Sequence, residues 1–134
     1  MGMDPGAVII HGFKVDYDLE RKFADLPEGT YDIPPEIEEA WGDFDLDYSR
    51  GEYEETKYVG AEIVHWDWDN NGQVFTEKER ADFADPSALK AEWFTKLDAK
   101  IAKVEDSVVL AYFTRLRAYA EEVTWVTMKY AYYW

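Results

Sequence analysis

Two apolar stripes at helical spacing run through the second half of the chain, and they constrain the fold more than any other feature of the sequence. Leu89, Trp93, Leu97, Ile101 and Val104 recur every three or four residues and so line one face of a helix. Pro86 and Ser87 suit its start, and Lys96, Lys100 and Lys103 lie toward its end, where the helix dipole favours cations. Asp106 and Ser107 stand where a second helix would be capped. From there Val109, Phe113, Leu116, Ala120, Val123, Thr127, Tyr130 and Trp134 keep the same period. The spacing predicts a helix over 107–122 packed antiparallel on its predecessor, a helical pair across about 87–122 that extends toward 134. The tail reads both ways: "VTWVTMKYAYYW" has strand propensity throughout, and Thr124, Val126, Met128, Tyr130, Tyr132 and Trp134 alternate on one face.

A helical pair needs an apolar surface to cover, and the first half offers strands. "AVIIHGFKV" places Ile9, His11, Phe13 and Val15 on one side, with Gly12 read as a bulge. Asp16 or Asp18 then caps a short helix carrying Leu19, Phe23 and Leu26, stopped by Pro27 and Gly29. "IPPEIEEAWG" predicts a brief helix over 35–41, and residues 42–56 read as an acidic loop. "KYVGAEIVHWDW" reads first as a strand, although Val59, Ile63 and Trp66 also fit a helical period; "QVFTEKE" reads as a second, short strand. The expected class is α+β, one domain over 1–134, with a small, mainly antiparallel sheet packed against the C-terminal helical pair. A chain of 134 residues can bury about two thirds of the surface that its unfolded form exposes, and 47% hydrophobic residues place it far from disordered compositions. It has no cysteine, which excludes disulfides, thiolate metal sites and cysteine nucleophiles. The opening "MGMDPGAVII" has neither a basic start nor a long apolar run, so a cytoplasmic protein with no membrane contact is expected.

The net charge of −15 is concentrated in one half. Residues 1–67 hold 18 acids and 5 bases, against 11 acids and 9 bases in residues 68–134. Within positions 36–55, Glu36, Glu38, Glu39, Asp43, Asp45, Asp47, Glu52, Glu54 and Glu55 face the single base Arg50. Like charges this dense repel one another, so they call for a reason such as solubility, a cation or a basic partner surface. Nucleic acid is excluded as a partner, because binding it requires Lys and Arg on the phosphates. These nine acids are the expected partner-binding set, docking on a basic surface of another protein. That surface includes a groove that otherwise holds nucleic acid, where the protein would act as an inhibitor and nucleic-acid mimic. Small acidic proteins of this kind, encoded by phages and other mobile elements, supply the analogy, which is one of composition alone.

"DWDNNGQVFTEKE" resembles the first half of an EF-hand loop. Asp67, Asp69 and Asn71 stand at the first, third and fifth ligand positions, Gly72 at the sharp turn and Val74 at the apolar eighth position. The twelfth position is Lys78, where such a loop places a bidentate carboxylate. Asn71-Gly72 is equally a strong hairpin signal that would set Trp68 opposite Phe75. The hairpin is the favoured reading, with calcium as the alternative. His11 and His65 come with no serine nucleophile motif, metal-binding helix motif or glycine-rich phosphate loop, so neither a catalytic residue nor an enzyme is expected.

Overall fold

Asp16 decides where the first strand becomes a helix. In the computed structural model, which describes residues 5–27, 29, 32–44, 47–49, 56–67 and 76–133, Asp16 is extended and its carboxylate accepts from the backbone N–H of Leu19. This caps α1 (Tyr17–Ala24) directly after β1 (Pro5–Val15). The helix ends at Asp25, which adopts the left-handed conformation with φ 56° and returns its N–H to Arg21 and Lys22, two residues before the predicted stop at Pro27. After it come α2 (Pro35–Phe44), β2 (Asp47–Ser49), β3 (Lys57–Asp67), α3 (Glu77–Ala84), α4 (Ser87–Ile101), α5 (Ser107–Glu122) and β4 (Val126–Tyr133).

The four strands form one antiparallel sheet in the order β2-β3-β1-β4. Between β1 and β3 the register shifts at Ile9 and Ile10, which oppose Val64 and Glu62, so the irregularity lies at Ile63 and not at Gly12. Gly12 has another task. It opposes Gly60, and a Cβ at Gly12 would lie 1.9 Å from the carbonyl oxygen of Val59. Only a glycine pair lets the two backbones come this close.

Phe13 and Val15 of β1 and Val59 and Ala61 of β3 share a core with the helices, with α5 at its centre in contact with α1, α2 and α4. Tyr112, Phe113, Leu116 and Ala120 on α5 are fully buried, as are Leu97 on α4 and Ile37 on α2. Phe13 of β1 lies edge-on to Trp93, Tyr119 and Trp125, with ring centroids 5.5–5.9 Å apart. The fold is therefore α+β with the expected helical pair against a small sheet, and α1 and α2 share the same core.

Three expectations are corrected. The segment after Thr76 is a helix and not a strand, because the Thr76 hydroxyl accepts from the Glu79 N–H while the Glu79 carboxylate accepts from the Thr76 N–H. The helix predicted over 35–41 runs on to Phe44, into the segment read as loop. The apolar stripe beyond Glu122 is not helical. Trp125 is buried in the core with its indole N–H donating to the Ala120 carbonyl at 2.8 Å, and the chain then turns into β4 beside β1.

Leu116 has no exposed surface, so Leu116→Ala removes packing from the centre of the core. A loss of about 2–5 kcal/mol is expected in urea melts, and a loss near zero would contradict the central place of α5.

Candidate functional site

Four elements meet at a buried charge. Lys57, the first residue of β3, has no exposure, and its ammonium donates to Glu20 Oε1 of α1 at 2.9 Å and to Glu38 of α2 at 3.3 Å. Glu20 is equally buried, and its period on α1, three residues before the buried Phe23, puts it on the inward face. The Tyr112 hydroxyl of α5 donates to Glu20 at 3.1 Å and accepts from the Trp41 indole N–H of α2 at 3.1 Å. The Lys57 ammonium also lies 5.4 Å from the centre of the Trp41 ring. Burial, reinforced by the Glu20 carboxylate, pushes the Tyr112 phenol far above its ordinary range, so it stays protonated and able to donate. The arrangement holds α1, α2, β3 and α5 together. No single stretch of sequence announces it, since Glu20 and Lys57 are 37 positions apart.

The network also sorts the acids predicted to bind a partner. On α2, Ile37, Ala40 and Trp41 face inward, which leaves Glu36 and Glu39 exposed. Glu38 is half-exposed, but its carboxylate turns to Lys57 and so serves the fold. Asp43 lies in the last turn of α2 and Asp47 opens β2, whereas Asp45, Glu52, Glu54 and Glu55 lie outside the described residues.

Glu36 and Glu39 form one wall of an open groove of about 350 Å³ whose other wall carries Lys100 and Lys103. Glu105 and Asp106 stand at its end, and Ala40, Val104 and Val109 contribute apolar lining. Among the described residues, Glu36, Glu39, Lys100, Lys103 and Glu105 make no ion pair. Asp106 caps α5, accepting from the N–H groups of Val108 and Val109.

Of the alternative metal residues, Asp67 ends β3, while Asp69, Asn71 and the expected hairpin lie outside the described residues. Val59 and Ile63, which also fit a helical period, are in a strand, as first read. Among the described residues no group of three or more His, Asp or Glu is placed to hold a metal ion. The two histidines sit apart on the sheet. His11 opposes Ala61 and Thr127, whereas His65 opposes Val8 and lies 4.0 Å from Glu62. His11 Nδ1 is 3.2 Å from the Thr127 hydroxyl, and partial burial with the nearby Lys90 lowers its pKa from 6.5. No described helix is long and apolar enough to cross a membrane. Compared with protein-family models, curated proteins and solved structures, the chain matches none.

Removing one partner of a buried pair leaves a desolvated charge, so Lys57→Ala is expected to cost about 3–5 kcal/mol in denaturant melts. Replacing both, as Glu20→Leu with Lys57→Met, should restore most of that loss; a double variant as unstable as the single would contradict the pairing. His11 binds its proton less tightly folded than unfolded. Its contribution to stability is therefore present above pH 6.5 and lost as pH falls through the lowered folded value. An NMR titration of the His11 ring should show a midpoint below 6.5.

Proposed function

We propose that the protein is an acidic binding module whose N-terminal half docks on a basic surface of a partner protein, including the groove of a nucleic-acid-binding protein, which it would block as an inhibitor. The observation that carries this reading is the state of Glu36 and Glu39. Both are exposed on one wall of a groove and unpaired among the described residues, although Lys100 and Lys103 line the same groove. Charge held this way is available to another molecule. Glu38 drops out of the docking set because Lys57 occupies it, and Glu105, from the less acidic half, joins the groove instead. The acids would raise the rate of encounter with a basic surface more than the final affinity, because steering acts over the distance that salt leaves unscreened, about 8 Å at physiological ionic strength. Lys100 and Lys103 add a requirement. A partner seated in this groove must offer bases to α2 and tolerate, or pair with, two cations, Lys100 on α4 and Lys103 just after it.

Charge reversal separates this reading from a merely soluble surface. Partners captured from a lysate should elute at moderate salt, and Glu36→Lys with Glu39→Lys should slow their association at least tenfold without moving the melting temperature. Glu92→Lys with Glu122→Lys, two exposed acids on α4 and α5, should change it far less. If the captured partner binds nucleic acid, a duplex or single strand should compete with the protein for it. Capture indifferent to both salt and the α2 reversals would remove this function.

A further inference from the structure

Building on the docking role proposed for Glu36 and Glu39, we infer that their groove seats the C-terminal residue of a partner chain. That residue is an arginine or lysine whose side-chain cation meets Glu36 and Glu39 while its free carboxylate meets Lys100 and Lys103. Elsewhere in the molecule Arg21, Lys57, Lys78 and Arg117 each reach a carboxylate of this chain. Lys100 and Lys103 do not, although Glu36 and Glu39 line the same groove, and among the described residues none of the four makes an ion pair. Both sides are anchored from behind. Ile37, Ala40 and Trp41 fix α2 in the core, and Leu97 and Val109 do the same for α4 and α5. The two signs of charge therefore stand ready and uncompensated.

A ligand of one sign does not fit. A polyamine or a lone basic side chain would satisfy the glutamates and face two lysines; a phosphate would satisfy the lysines and face the glutamates, with Glu105 and Asp106 at the groove's end. A metal ion is disfavoured as well, because no group of three or more His, Asp or Glu among the described residues is placed to hold one. What remains is a ligand with both charges. Ala40, Val104 and Val109 also line the groove, which suits two charges joined by an apolar stem. Size narrows the choice further: about 350 Å³ is near the small end of ligand sites, which begin at roughly 300 Å³, and admits a residue or two rather than a folded surface. A C-terminal arginine or lysine meets all three requirements. Its methylene stem is apolar, its head is cationic, and the chain end supplies the anion. An internal basic residue lacks the anion, and an acidic residue at an N-terminus carries both signs only on a short stem. Capture of a terminal carboxylate is a recurrent way for one protein to read the end of another.

The test is an NMR titration of the full chain, following its backbone amides with peptide up to roughly 10 mM, high enough for millimolar affinity. Two N-acetylated tetrapeptides ending in arginine are compared, one with its C-terminus free and one amidated. General attraction to a chain of net −15 favours the amide, which carries the larger positive charge, whereas the two-signed groove favours the free acid. The free acid is expected to bind at least tenfold more tightly and to move the amides of 36–40 and 103–109. Lys100→Gln with Lys103→Gln should erase that preference, and Glu36→Gln with Glu39→Gln should weaken both peptides, with the melting temperature unchanged. The comparison of acid with amide uses the unaltered protein, so it stands whatever the variants do to folding. An amide that binds as well as the acid would overturn the inference and leave the acidic docking reading in force. No saturable shift with the acid, or shifts centred elsewhere, would overturn it too, and the docking reading is then judged by the salt and charge-reversal capture. Free arginine binding more tightly than the acetylated peptide would make the groove a site for an amino acid instead of a partner's end.

Discussion

The ammonium of Lys57 is out of reach of water, and a charge so placed persists only while Glu20, Glu38 and the Trp41 ring converge on it. Desolvating one ion costs several kcal/mol, so the two elements that supply its partners, α1 and α2, are fixed relative to β3. Tyr112 carries the constraint into α5, because its hydroxyl is held between Trp41 and Glu20. The N-terminal helices are thus tied to the central helix by polar geometry as well as by apolar packing. Apolar packing alone tolerates sliding; a buried ion pair with two hydrogen-bonded neighbours does so much less.

Much of the fold was legible where the deciding contacts are local. Asp16 and Asp106 cap helices as their positions predict, and the stripes from Leu89 and Val109 fall on the buried faces of α4 and α5. Thr76 and Glu79 were an equally local signal, a capping box obscured by the β-favouring Val-Phe pair just before it. The last dozen residues were not decidable this way, since their apolar positions satisfy both periods. What selects the strand is tertiary: the Trp125 ring among Phe13, Trp93 and Phe94, and the open side of β1. The candidate site shows the same division. Charge density along 36–55 could be counted from sequence, but which carboxylate turns inward depends on Lys57, nineteen positions away from Glu38.

That division bears on why the acids are concentrated. In the first half Arg21 is paired with Asp18, Lys14 lies over the Tyr58 ring, and Lys57 is buried with Glu20 and Glu38. These bases serve local contacts and leave Glu36 and Glu39 unneutralised. Solubility needs only net charge, and the same number of acids spread over both halves would supply it with less internal repulsion. Confining them to one half costs stability and gains a directed field. The field is strengthened by what lies behind α2, since Ile37, Ala40 and Trp41 form a packed, low-dielectric backing that screens Glu36 and Glu39 less than water would. An acidic helix laid on an apolar core is therefore a stronger attractor for a basic surface than the same residues on a loop, and the Glu20–Lys57–Tyr112 network is what holds that helix to the core.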